Sequence, residues 1–502
     1  MRSVNNNTFS MSFRCLGALA VSGVILGSAG CSTLISSRSQ KEEAMKHYSA
    51  GEYEKSAGII KEYADKREGT GDELMWHLEH GCVRFAIEDY PQSLEAFNKA
   101  EIVVLDHENR ATFNLRGVGA EIGAAYTNAN ALPYTGCFYE KILINSYKSL
   151  VYLGMNNPEA SGVEMRRARF RQKMARRRYE VDLVEEYQVE MPKYEGEAIP
   201  GLSPEKILQE KEINKDREWI KKHRNTTYGN VVNPTVTFLS AIDFLARKRT
   251  DDALIDFRTL YRIEPKNPLF RECYVSLARS LNEQLPVYLN KLPGYKFPLD
   301  RKVVFVLFEE GLIPARKEKL FELILPPPVG YTGIAYPVLE YYPSDAGYLQ
   351  VRNEDGKVYR TEMIGDLGDI ASFTLDNQMH EIITRAVVGA MVKEGTSIAL
   401  QQAAARIPDI GPVVQIGVFI AMQIYKKAFN RADVRCWQTL PGRIQGAVFP
   451  KTGNGIFKLT VISKNGKEMN SANINVGAGN TVTLVLVKSN GFDTIRLKVF
   501  DF

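Results

Sequence analysis

From residue 40 to about residue 289 the apolar positions recur at helical spacing, and near Pro293 the pattern switches to strands. Residues 303–308 (VVFVLF) and 320–325 (LFELIL) are rich in β-branched and aromatic side chains, and Pro326-Pro327-Pro328 closes the second run. Residues 334–342 and 347–351 continue the strand pattern, and Asp355-Gly356 predicts a hairpin turn into residues 357–361. Helical spacing returns over residues 376–430. Ile382, Ile383, Ala386, Val387, Ala390 and Met391 form one stripe, residues 407–412 break it, and residues 413–429 make a second helix. That helix has an apolar stretch over 413–425, interrupted by Gln415 and Gln423, which is too short to span a bilayer. A buried helical hairpin is the expectation, with membrane insertion or partner binding as the alternative. Five further strands follow, at 443–449, 455–462, 473–476, 481–488 and 494–500, with Asn465-Gly466 as a turn. The pattern therefore predicts an α+β multidomain chain. Residues 41–292 form a helical domain, and residues 293–502 form an antiparallel β-sandwich-like module with a helical insertion at about 376–430.

One phrase recurs in the helical part. Residues 50–57 (AGEYEKSA) return at 88–97 (EDYPQSLEAF), and a related phrase at 249–257 (RTDDALIDF) ends in IEPKNP. Gly51, Ala57, Ala96 and Ala253 let paired helices approach, while Tyr53, Tyr90, Phe97 and Phe257 fill the space between pairs. These phrases resemble the turn and second helix of tetratricopeptide repeats. A fourth pair is expected at 138–153 and 158–187, turning at Gly154-Met155-Asn156-Asn157-Pro158, and residues 188–215 read as a loop or mobile arm. The resemblance implies an α-solenoid with a concave face that binds a protein partner. The alternative is that the helices pack only on the C-terminal half of the same chain.

The first thirty residues read as an export signal. Arg2 and Arg14 precede a short apolar core over residues 15–26, and the small residues Gly27-Ser28-Ala29-Gly30 lead into Cys31. The segment resembles the lipobox of bacterial lipoproteins, although Ser28 stands where Leu is usual. The resemblance implies acylation of Cys31, including palmitate. It also implies a membrane partner through that anchor and a short tether over 31–40. Ser32 after the Cys favours the outer membrane, facing the periplasm.

Composition changes this picture in two places. The chain has 502 residues, 64 Lys+Arg against 59 Asp+Glu, and a net charge of +5, too weak to argue for nucleic acid. Removing the signal discards two Arg and no acid, leaving a net of +3. Of six Cys, one leaves with the signal and Cys31 is the anchor. Cys82, Cys137, Cys273 and Cys436 remain, as disulfide partners or as buried thiols.

The chemistry-bearing residues are few. The densest charge run holds Arg166, Arg167, Arg169, Arg171, Lys173, Arg176, Arg177 and Arg178, followed at once by acids. It reads as a solvated helix face, or as a basic surface for anionic headgroups or an acidic partner. His77, His80 and Cys82 lie close together but lack a fourth ligand, so no metal and no cofactor is expected. Asp433, Arg435 and Trp437 sit in residues 432–441 (ADVRCWQTLP), where Arg could bind a carboxylate and Trp offer a stacking face. Alternatively Asp433 pairs with Arg435 and Trp437 plugs a core. With residues 308–311 (FEEG), 333–337 (GIAYP) and 381–386, this Asp-x-Arg-x-Trp-x-x-Leu-Pro motif resembles a family of bacterial lipoproteins without an established activity. Its members pair a tetratricopeptide-like half with this C-terminal module.

No nucleophile, metal or phosphate-binding motif is present, and six His leave little for acid–base work. The sequence therefore suggests a non-catalytic, lipid-anchored periplasmic scaffold that binds another cell-envelope protein through its helices. The alternatives are a glycan or peptidoglycan hydrolase using Asp366, Asp369, Asp376 or Glu381, and a non-catalytic cell-wall-binding protein.

Overall fold

The computed structural model describes residues 37–113, 130, 132–182, 202–223, 233–325, 329–406, 411–490 and 495–502. The expected signal over 1–30 and Cys31 lie outside the described residues. The first described helix, α1 (37–49), already includes residues 37–40, which the domain division assigns to the tether.

The N-terminal half is helical and the C-terminal half is built on β-sheet. After α1 come α2 (Tyr53–Lys66), α3 (Glu73–Ala86), α4 (Tyr90–Phe113), α5 (Phe138–Gly154), α6 (Pro158–Asp182), α7 (Pro204–Gln209) and α8 (Lys211–Lys222). Then come α9 (Pro234–Ala246), α10 (Thr250–Ile263), α11 (Pro268–Ser280) and a single turn, α12 (Val287–Asn290). From α2 to α6 each helix packs on the next, α6 continues onto α9, and α9 to α11 follow in order.

Five of the turns that end these helices share one geometry. Gly51, Glu88, Asn156, Lys248 and Asn282 all adopt positive φ. In each turn the next N–H bonds back five residues, as in Asp89 to Arg84 (3.0 Å), Asn157 to Tyr152 (2.8 Å) and Arg249 to Phe244 (2.8 Å). This left-handed cap satisfies the orphan carbonyls at a helix end and reverses the chain within a few residues. The recurring phrase in the sequence marks these reversals: Tyr53, Tyr90 and Thr250 each open a helix.

The strands are β1 (Val303–Glu310), β2 (Ala315–Leu325), β3 (Gly330–Glu340), β4 (Ala346–Asn353), β5 (Val358–Arg360) and β6 (Glu362–Asp366). After the helices α13 (Leu367–Ala405) and α14 (Gly411–Phe429) come β7 (Arg443–Pro450), β8 (Ile456–Ser463), β9 (Glu468–Asn475), β10 (Val482–Ser489) and β11 (Arg496–Asp501). They form a five-stranded sheet in the order β11-β10-β1-β7-β6, a β2-β3 hairpin, and a four-stranded sheet β5-β4-β8-β9.

β1 explains its own sequence. Val303, Phe305 and Leu307 face a core shared with the helices, while Val304, Val306 and Phe308 face the four-stranded sheet through Leu349, Val351, Leu459 and Val461. A strand covered on both faces reads as an unbroken apolar run. The first core runs without a break from Tyr48 and Trp76 through Phe238 and Phe305 to Leu375 and Trp437. Position 292 therefore marks a change of secondary structure and not a gap in the core.

Four expectations are corrected. The sheet is not wholly antiparallel, because β1 and β10 pair in parallel, Val303 opposite Val482 through Glu310 opposite Ser489. Strands so far apart in sequence need no hairpin, so either direction is open to them. The helical insertion begins at Leu367 rather than 376, because Asp366 caps the helix by accepting from the Asp369 N–H at 3.0 Å. Residues 204–209 and 211–215 of the expected arm are helical, and α7 and α8 leave the row of helices to pack on α13. The hairpin is not buried throughout: α14 turns Val413, Ile416, Ile420 and Ile424 outward, 53–74% exposed. Among the described residues no helix is long and apolar enough to cross a membrane.

Candidate functional site at the junction of the two halves

Residues 432–440 leave α14, run without regular structure through the helical half and end where β7 begins. An extended segment must find partners for every backbone N–H and C=O, and here helical side chains supply them. Glu140 of α5 accepts the Trp437 N–H at 2.8 Å. Glu79 of α3 accepts those of Gln438 (2.7 Å) and Thr439 (3.0 Å). Lys41 donates to the Cys436 carbonyl and pairs with Glu79 at 2.8 Å. Arg38 donates to the Ala432 carbonyl at 2.7 Å and Tyr48 to that of Thr439 at 3.1 Å.

The motif residues sit inside this junction. Arg435 donates Nε and Nη2 to Asp433 (2.9 and 2.8 Å), Nη1 to Asp72 and the Gly71 carbonyl (3.2 and 3.1 Å), and Nη2 also to the Leu132 carbonyl (2.9 Å). All five N–H donors are used, so its fork has no capacity left for a ligand. Burial would raise the Asp433 carboxyl, but the Arg435 guanidinium holds it below the usual carboxylate range. Trp437 is fully buried against Phe97 and Tyr147, ring centroids 5.7 and 5.6 Å away, and its Nε1 donates to the Thr439 hydroxyl at 2.9 Å. It offers no stacking face. The motif is a lock between the halves, and the recognition role for Asp433, Arg435 and Trp437 is corrected accordingly.

Two cavities flank the segment. One, of about 670 Å³, lies between α1, the β2-β3 hairpin and residues 431–438, and Lys41, Lys46, Arg316, Glu318 and Tyr342 help to line it. The other, of about 420 Å³, lies between the loop before α5 and the middle of α13. Arg316, Arg431 and Arg435 border both.

The basic run does not form a single open face. Arg167 bonds Glu164 at 3.0 Å, Arg169 bonds Asp256 at 2.9 Å and Arg171 bonds Glu101 at 3.4 Å, tying α6 to α4 and α10. Arg166, Arg167, Lys173, Arg176 and Arg177 are exposed, and the Arg178 side chain lies outside the described residues. His77, His80 and Cys82 are all buried on α3. Burial lowers His80 to about 4, its Nε2 accepting from Arg84 at 3.1 Å, and pushes the Cys82 thiol up to about 11. Among the described residues no group of three or more His, Cys, Asp or Glu is arranged to hold a metal. Cys82, Cys137, Cys273 and Cys436 are free buried thiols.

Of the carboxylates considered for hydrolysis, Asp366 and Asp369 lie side by side at the start of α13, and the other two do not join them. Asp366 caps α13 and Asp369 lies in its first turn, whereas Asp376 and Glu381 sit further along, at about 1.5 Å of rise per residue. Neither Asp366 nor Asp369 borders one of the two cavities. The residues that organise the junction, Glu79, Glu140 and Arg316, went unnoticed in the sequence. For Glu79 and Glu140 the available signal was a lone carboxylate within an apolar helical stretch, as in Trp76-His77-Leu78-Glu79 and Phe138-Tyr139-Glu140. No family model matches the chain, and no curated protein or solved structure is detectably similar to it.

Proposed function

We propose that the protein is a lipid-anchored cell-envelope protein, held at the periplasmic face of the outer membrane by acylated Cys31, that acts without catalysis as a protein–protein interaction scaffold. The observation that carries this reading is the outward face of α14. Val413, Ile416, Ile420 and Ile424 recur along one side of it, with Lys427 and Arg431 just beyond. The C-terminal end of α14 meets α1, since Arg38 bonds the Ala432 carbonyl. Cys31 lies six residues before Ser37, a reach of at most about 21 Å. An apolar stripe ending in basic residues and tethered this closely suits the interface of the anchoring leaflet.

The helices are taken as a tetratricopeptide-like solenoid and the two facing sheets as a β-sandwich-like module, in keeping with the family resemblance. Recurrent left-handed turns support the first and the second apolar core supports the other. The helical stack already holds residues 432–440 of its own chain. The partner surface is therefore assigned to the open 670 Å³ cavity beside α1.

Labelling with palmitate tests the anchor: wild type takes up label and Cys31→Ser does not, whereas label retained in Cys31→Ser removes it. Vesicle flotation of mature Cys31→Ser tests the face. Binding lost in Ile416→Asp/Ile420→Asp supports leaflet contact, and a concentration-dependent dimer lost in that variant assigns the face to self-association instead. A photocrosslinker at Lys46 tests the scaffold. One specific envelope adduct supports it, and no adduct above background removes it.

A further inference from the structure

Most of the positive charge around the 420 Å³ cavity is matched by a carboxylate. Arg435 pairs with Asp433 and Asp72, Arg385 with Glu381, and Arg431 with Glu318. Arg316 is different. It projects from β2 between the two cavities, and among the described residues no carboxylate lies within 4 Å of it. Its Nη2 donates to the Gln378 side-chain oxygen at 3.0 Å and to Cys137 Sγ at 3.4 Å. Both acceptors are neutral: burial pushes the Cys137 thiol up to about 12, so it stays protonated at neutral pH. Asp433 acts on Arg316 only from beyond 4 Å, and both of its oxygens already accept from Arg435.

A guanidinium carries five N–H donors, and two of these are used. The Nε proton and both Nη1 protons of Arg316 have no acceptor among the described residues. Arg316 is half-buried, and a cation partly withdrawn from water gains from a counterion held at short range. The usual solutions are a paired carboxylate or a bound anion, and among the described residues no carboxylate pairs with Arg316. Lys393 borders the same cavity, and its ammonium, lowered by burial to about 8, still carries charge at neutral pH.

We propose that Arg316 and the 420 Å³ cavity form a binding site for a small oxyanion, a carboxylate or phosphate group that supplies the missing counter-charge. The cavity has room for a small organic acid or phosphate ester rather than a single ion. The guanidinium, held by Gln378 and Cys137, presents fixed donors suited to planar carboxylate or phosphate oxygens.

Isothermal titration of the mature chain carrying Cys31→Ser tests the site, with inorganic phosphate and succinate as probes and sodium chloride at equal ionic strength as control. Binding of at least one probe at about 1 mM or tighter is expected. Phosphate alone would assign the site to phosphoryl groups, succinate alone to carboxylates, and both to oxyanions in general. Arg316→Gln should weaken binding at least tenfold, about 1.4 kcal/mol. Gln378→Glu guards against a folding defect in that variant, because it places a carboxylate on Arg316 from within. It should abolish anion binding while raising the unfolding temperature of the ligand-free protein. No binding above the chloride control, or binding unchanged in both Arg316→Gln and Gln378→Glu, overturns the proposal.

Discussion

Glu79, in the third helix of the helical half, accepts the main-chain N–H of Thr439 at 3.0 Å across 360 residues of sequence, just ahead of the first strand after the helical hairpin. The same carboxylate accepts from Gln438 and pairs with Lys41, while its own side chain is almost wholly enclosed. Replacing Glu79 with Ala leaves the N–H groups of Gln438 and Thr439 without their acceptor and the buried Lys41 ammonium with the Cys436 carbonyl but no carboxylate. A loss of about 3–5 kcal/mol is expected, the range for breaking a buried charge pair from one side. Because this contact joins the halves within one core, urea unfolding of wild type should follow a single transition by circular dichroism and by tryptophan fluorescence. Two separated wild-type transitions, or a loss below about 1 kcal/mol in Glu79→Ala, would contradict this account.

The Asp-x-Arg-x-Trp segment yields a second expectation. Trp437 is fully buried and its indole touches Phe97 and Tyr147, so Trp437→Ala should cost about 3–5 kcal/mol through the cavity it leaves. Arg435→Lys should also be costly although charge is kept, because an ammonium cannot span Asp433, Asp72 and two carbonyls at once. Thermal unfolding of both variants checks this. A tolerated lysine would mean that charge alone, and not the fork, closes the junction.

What the sequence revealed depended on how local the cause was. β1 was legible because both of its faces are covered, which leaves residues 303–308 without a polar position. The helix reversals were legible because one turn geometry repeats, and the phrase around Tyr53 returns around Tyr90. Both readings of Asp433, Arg435 and Trp437 were available, but the choice between them lay in Asp72, Glu79 and Glu140, hundreds of residues away. The parallel pairing of β1 with β10 was hidden for the same reason, since strand periodicity names a face and never a neighbour. α14 misled in the opposite sense: an apolar helix was expected to be buried, and its stripe faces out.

The turn at Lys248 offers a stabilising change. Its φ of 60° lies in the left-handed region, where an L side chain costs about 1–2 kcal/mol. The Lys248 ammonium pairs with Asp300 at 3.7 Å on the surface, an interaction in the range of about 0–1 kcal/mol. Lys248→Gly should therefore raise stability, by up to about 1 kcal/mol. Urea midpoints at fixed pH read this directly, and a destabilised glycine variant would show that the Asp300 contact outweighs the backbone strain.

Asp369 sets a pH dependence of known sign. Burial, with the Asp366 carboxylate beside it, raises the Asp369 carboxyl to about 7. In the unfolded chain the same group titrates near its ordinary value of 3.8. Between these two values the folded state holds a proton that the unfolded state has released. Its contribution is therefore fully present below the unfolded value and is lost as pH rises toward 7. Asp369→Asn removes the titration while keeping shape and polarity. The variant and wild type should unfold at similar urea concentrations at pH 4, and the variant should be the more stable at pH 8. Equal midpoints at both pH values would mean that solvent relieves the charge of Asp369 in the folded protein, and that the pair with Asp366 carries no electrostatic strain.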